Sequence, residues 1–76
     1  MWIERVGYKY NEWIYKVEGY EVGLINFIDW SGLYEVIVRG KGFKENKILY
    51  ISDFEVARFK CLLVAKDLGW VIKDMI

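Results

Sequence analysis

One stretch of the chain, ISDFEVARFKCLLVAKDLGW (residues 51–70), carries helix punctuation at both ends. Ser52 is a natural N-cap, and Glu55 three residues on completes a capping box. Ile51 before the cap and Val56 beyond it are placed to form a hydrophobic staple. Gly69 stops the segment as a C′ glycine. The spacing therefore predicts a helix from Asp53 to Leu68.

The residues before it read with period two. In WIERVGYKY, Trp2, Val6, Tyr8 and Tyr10 fall on one face and Arg5, Gly7 and Lys9 on the other, as in a half-buried strand. Asn11 and Glu12 offer a turn. WIYKVE then places Trp13, Tyr15 and Val17 inward and Lys16 and Glu18 outward. Gly19 and Tyr20 read as a type II′ turn, with glycine at the first central position where φ must be positive. In EVGLINFIDW, Val22, Leu24 and Ile28 mark one side and Ile25 and Phe27 the other, so both sides call for cover. Ser31 and Gly32 signal another turn. LYEVIVR again has two apolar sides, Tyr34, Val36 and Val38 against Leu33 and Ile37, and the short run ILYI precedes the helix. This order predicts an α+β fold: an antiparallel β-meander of about four to five strands followed by one C-terminal α-helix (about 53–68) packed on the sheet. WVIKDMI either adds a short final strand or docks as an extended tail.

A chain of 76 residues is expected to form a single domain, 1–76. It holds four Trp, six Tyr and four Phe, more aromatic surface than one small core can take. The surplus is expected on the surface, where apolar patches mark partners or ligands. Eleven basic residues balance eleven acidic ones, so no overall field draws the chain to nucleic acid. The single cysteine, Cys61, has no internal disulfide partner. No apolar run is long enough to span a bilayer, and MWIERVGYKY lacks the apolar region of a signal peptide. The expected location is the cytoplasm (the host cytoplasm if the chain is viral), with no membrane association.

On a helical wheel Phe54, Ala57, Cys61, Val64, Ala65 and Leu68 share one face, while Val56, Phe59 and Leu63 form a second stripe. A surface helix of a monomer needs only one such stripe. Val56, Phe59 and Leu63 are therefore the candidate oligomer interface, and the expected partner is the chain itself, as a homodimer or higher oligomer. The alternative is a sheet that wraps the helix and makes both stripes core.

Catalysis has little to work with. There is no histidine, the commonest general base. Zinc sites built from His and Cys are excluded by count, so neither a metal nor a cofactor is expected. Ser31 and Ser52 have turn and cap roles, and Cys61 in mid-helix reads as a buried, inert thiol. The chain is expected not to be an enzyme.

One constellation suggests binding. RGKGFKENK (residues 39–47) gathers Arg39, Lys41, Lys44 and Lys47 around Phe43, with Tyr50 nearby. The glycines follow one strand and precede another, so this is not a P-loop. It is either a hairpin tip kept soluble by lysines or a site in which cations hold phosphate and an aromatic ring stacks a base.

Two resemblances add to this. GLYEVIVRGKGF followed by ILYISDFEVARFKCLLVA, through Gly32, Tyr34, Arg39 and Ala57, resembles the three-strand-plus-helix domain of AP2 and phage-integrase arm-binding modules. That likeness implies DNA reading by a sheet face, with Lys16, Arg39 and Lys47 as the available cations. LYISDFEV, through Ser52 to Val56, is similar to a stretch in small phage inhibitors of uracil-DNA glycosylase. Together they imply a small phage-encoded accessory protein. The leading reading is a non-enzymatic binding or inhibitor protein of phage or mobile-element type, acting stoichiometrically. It would sequester a nucleotide-like ligand or block a host protein. The alternatives are a sheet-face DNA-binding module and a structural oligomer component.

Overall fold

The computed structural model describes residues 1–6, 11–42 and 45–73, with Val6 described through its backbone alone. Five strands run in order: β1 (Trp2–Val6), β2 (Asn11–Val17), β3 (Tyr20–Ile28), β4 (Leu33–Arg39) and β5 (Asn46–Ile51). One helix follows, α1 (Phe54–Asp67). The strands form one antiparallel sheet in the order β1-β2-β3-β4-β5, and α1 packs across β3, β4 and β5. This is the α+β meander-plus-helix that the alternation and the helix punctuation predict. The expected first strand continues over residues 7–10, which lie outside the described residues. Residues 70–73 form no strand. Instead Trp70 is buried and Ile72 packs on the core.

Four local expectations need correction. Val22 does not share a side with Leu24: a bulge in the β2–β3 register at Tyr15/Lys16 breaks the alternation there and turns Val22 into the core with Ile25. Asn11 and Glu12 are not a turn; they pair with Val6 and Arg5 as the start of β2. The β2–β3 turn is centred on Glu18 and Gly19, not on Gly19 and Tyr20. Both residues have positive φ, 53° and 84°, as a type I′ turn requires, and Val17 and Tyr20 close the hairpin as partners. Glycine thus serves the second central position, and Glu18 accepts the left-handed conformation because a two-residue I′ loop matches the strand twist. Lastly, the N-cap is Asp53, not Ser52: Asp53 Oδ1 accepts the Val56 N–H at 3.0 Å. Glu55 consequently sits one position too early for a capping box and pairs with Arg58 at 3.5 Å. The Ile51–Val56 staple is likewise out of register, since Ile51 still belongs to β5 opposite Tyr34 and Val56 is exposed. Ser52 and Asp53 are both good caps. Packing selects the phase, because it brings Phe54 onto Trp13 and Tyr34, with ring centroids 4.5 and 5.4 Å away.

The helix ends as expected. Gly69 takes φ 104°. Its N–H donates to Lys66 O and the Trp70 N–H to Ala65 O, both at 3.1 Å, the paired bonds of a Schellman cap.

The core lies between helix and sheet. Val22, Ile25, Val36 and Val38 from the sheet meet Ala57, Cys61 and Ala65 from α1, with Trp70 closing one end. Burial of each larger aliphatic side chain contributes about 1.5–3 kcal/mol. The small helix residues allow a close approach, and Gly23 completes it. A Cβ built at Gly23 would overlap Cys61 Sγ. The helix face predicted from Phe54 to Leu68 is the one that packs here: Phe54, Val64 and Leu68 flank the three fully buried residues.

Candidate functional site

The aromatic surplus is placed unevenly. Alternation from the paired residues Trp2 and Tyr15 puts Trp2, Glu4, Trp13 and Tyr15 on the helix side of β1 and β2. Trp2 stands edge-on to Tyr15 at 5.0 Å. Trp13 leans on Phe54 and, further in, meets Tyr34 at 6.1 Å, with Phe27 beyond. Because α1 covers β3 to β5, the β1–β2 edge is left uncovered beside the first turns of the helix. There Trp2, Glu4, Trp13, Phe54 and Arg58 line an open cleft of about 280 Å³.

The cleft is built by both kinds of periodicity. Period two delivers Trp2, Glu4 and Trp13 from the strands. The i, i+4 spacing of Phe54 and Arg58 puts both on one side of the helix. The Arg58 guanidinium lies 5.6 Å from the Trp2 ring centre and 5.8 Å from that of Phe54, within cation–π range of both. Glu55 holds its far side. A flat ring, a cation and the exposed carboxylate of Glu4 therefore converge on one small concave surface. Such a mixture can stack a planar ligand and read a donor and an acceptor on its edge.

Among the described residues, those expected to grip phosphate are spread over different surfaces. Arg39 lies on the sheet face away from the helix and pairs in register with Asn46. Tyr50 is on that same face, four residues along β5 from Asn46 (about 13 Å), and its hydroxyl donates to Glu35 at 3.3 Å. Lys47 stands opposite Val38, on the helix side. Phe43 and Lys44 lie outside the described residues. Lys41 belongs to the end of the helix: its backbone N–H donates to Leu68 O at 3.1 Å, and its Cβ is close against Gly69. Trp70 Nε1 donates to Arg39 O at 2.8 Å. The start of the basic loop is thus tied to the helix C-terminus, where unpaired carbonyls favour cations. Nor do the cations named for DNA reading form one file, since Lys16 and Arg39 share a face from which Lys47 points away. The open face also bears Glu12, Glu21 and Glu35.

On the helix, Val56 and Phe59 are 45% and 55% exposed, so the sheet does not wrap the second stripe. Leu63 is half-buried. Cys61 is fully buried, and burial pushes its thiol up to about 12. Among the described residues no three His, Cys, Asp or Glu side chains gather as a metal site, and no helix is long and apolar enough to cross a membrane.

The cleft was not assembled from the sequence. Its signal was the shared parity of Trp2 and Trp13 across adjacent strands. What placed Arg58 over Trp2, 56 positions away, was the crossing of the helix over the sheet. Comparison of the chain with protein-family models, curated proteins and solved structures finds no match.

Proposed function

We propose that the protein is a non-enzymatic binding protein whose cleft takes a planar heteroaromatic ligand of nucleotide type. The convergence of two indoles, one phenyl ring, one guanidinium and one carboxylate in the Trp2–Glu4–Trp13–Phe54–Arg58 cleft carries this reading. The base would stack against the indoles. Glu4 would accept from its ring N–H or amino group, and Arg58 would donate to its carbonyl or to an attached phosphate. Binding without turnover suits stoichiometric sequestration, the mode of the small phage-encoded accessory proteins that the sequence resembles. Lys41, at the start of the basic loop, is tied to the opposite end of α1 and takes no part in this cleft.

Titration with mononucleotides and cyclic dinucleotides, followed by Trp fluorescence, tests the reading. Saturable quenching is expected, and Arg58→Ala or Glu4→Gln should weaken it at least tenfold, the scale of one lost charged hydrogen bond (about 1.5–3 kcal/mol). Absence of quenching by every nucleotide at millimolar concentration overturns it. Quenching unchanged in both variants places the ligand elsewhere.

A further inference from the structure

The sheet face away from the helix is organised along its whole width. The register pairs Ile3 with Ile14, Ile14 with Leu24, Leu24 with Ile37, and Ile37 with Ile48. One aliphatic residue from each of the five strands therefore stands in a single row across the sheet. That row is roughly 19 Å long, four interstrand spacings of about 4.8 Å. Ile14 is covered by its neighbours, Leu24 and Ile37 are half-buried, and Ile48 is 55% exposed. Ile14, Leu24 and Ile37 line a shallow depression of about 110 Å³ together with Glu21 and Arg39.

Charges flank this row in a pattern. On β2 the order is Glu12, Ile14, Lys16; on β4 it is Glu35, Ile37, Arg39. Both acids lie on the same side of the row, level with Asn26, and both bases on the other. Arg5, the cross-strand neighbour of Glu12, and Glu21, that of Lys16, form an exposed ion pair with each other at 3.7 Å. Glu12, Lys16 and Arg39 make no ion pair among the described residues.

The geometry points to a second copy of this chain as the occupant of the face, packed sheet to sheet about a two-fold axis that runs along the aliphatic row. Aligned sheets stack about 10 Å apart with strand directions within about 30°. A two-fold along the row superposes each strand on its own counterpart and exchanges the two flanks. Glu12 then faces Lys16 of the second copy, and Glu35 faces Arg39 of the second copy, each contact occurring twice. A two-fold along the strands would instead set β2 on β4, Glu12 on Glu35 and Lys16 on Arg39. That aligned arrangement juxtaposes like charges and is selected against. The row joins with itself as an isologous interface must. Ile14 is already buried and Ile48 alone of the row is more than half exposed, so the face offers few anchors to bury and the association is expected to be weak. The ligand cleft lies on the other side of the sheet, so the dimer and the ligand site are independent.

Sedimentation equilibrium between about 10 and 500 μM, in low and in high salt, tests this. The wild-type protein should dimerise, more weakly at high salt. Glu35→Arg alone should set two cations against each other and weaken the dimer at least tenfold, as should Arg39→Glu alone. The double exchange, Glu35→Arg with Arg39→Glu, should restore association to within about threefold, because opposite charges face again. These positions are on the open face and the exchange leaves the core untouched, so folding is expected in every variant and is checked by circular dichroism. A monomer at 500 μM overturns the proposal. So does stronger association of the Glu35→Arg single variant, which is the signature of the other axis, or a dimer that Phe59→Glu dissociates while the sheet-face exchanges leave it unchanged.

Discussion

Gly23→Ala tests the packing that brings helix and sheet together. Gly23 sits in β3 directly beneath Cys61, and its φ is not in the positive range, so alanine meets no backbone strain there. In an unencumbered strand the substitution would stabilise by about 0.5–1 kcal/mol. Here the new Cβ overlaps Cys61 Sγ. Cys61, Ala57 and Ala65 are fully buried, and the sulfur can move away only by changing a χ1 rotamer that the helix restricts. Overpacking of this kind costs about 1–3 kcal/mol, so the net expectation is destabilisation by roughly 1–2 kcal/mol. At about 4–8 °C per kcal/mol for a domain of this size, Tm should fall by about 5–15 °C. Cys61→Ala alone should cost about 1 kcal/mol by vacating a filled site. Combined, the two should compensate: the methyl at residue 23 occupies space released by the sulfur. The double variant should be no less stable than Cys61→Ala, a coupling of about 1–2 kcal/mol in urea unfolding. A Gly23→Ala protein as stable as wild type, or strictly additive effects in the double variant, would refute the close-approach argument.

Four further outcomes follow from the same contacts. Asp53→Ala should cost about 1 kcal/mol through loss of the cap to Val56 N–H, while Ser52→Ala should stay within about 0.5 kcal/mol; urea unfolding of the two distinguishes the cap residue. Trp70→Phe should cost about 1–3 kcal/mol because Arg39 O loses its indole donor and the ring contact with Tyr20, centroids 6.0 Å apart, shrinks, with faster hydrogen exchange at the amides of Lys41 and Gly69. The Cys61 thiol should resist alkylation in the native protein at pH 8 and react at the rate of global unfolding, since burial raises its pKa from 9.0 to about 12. The same shift means the native state holds the thiol proton more tightly than the unfolded chain. That contribution to stability is complete below pH 9.0 and is lost as pH rises to about 12. Unfolding free energy should therefore fall more steeply over that window in the wild type than in Cys61→Ala.

Much of the fold is written locally. Alternation along WIERV, WIYKV and LYEVIVR assigns each side chain to a face before any partner is known, because the strand period is two whatever lies opposite. Gly69 stops the helix for a reason confined to a few residues, the positive φ that only glycine takes readily. The two-sided apolarity of the third and fourth strands is equally legible, and it corresponds to a core on one face and the Leu24–Ile37 stretch of the aliphatic row on the other. What the sequence left undecided is phase and juxtaposition. Ser52 and Asp53 are nearly equal caps, and the choice fell to Asp53 once Phe54 was drawn into the Trp13–Tyr34 cluster. Glu18 and Gly19 share a turn whose register is set by Val17 meeting Tyr20. The RGKG loop read as one cationic site because its residues are neighbours in sequence. Three dimensions separate them, since alternate residues of a hairpin face opposite ways and Lys41 is tied to the helix end. Conversely, Trp2 and Arg58 meet only because the crossing of the helix over the sheet brings its first turns to the β1–β2 edge. The sequence alone therefore determined which side chains each element presents. The tertiary structure decided which of them meet, because pairing register and helix crossing are set by contacts between residues far apart in the chain.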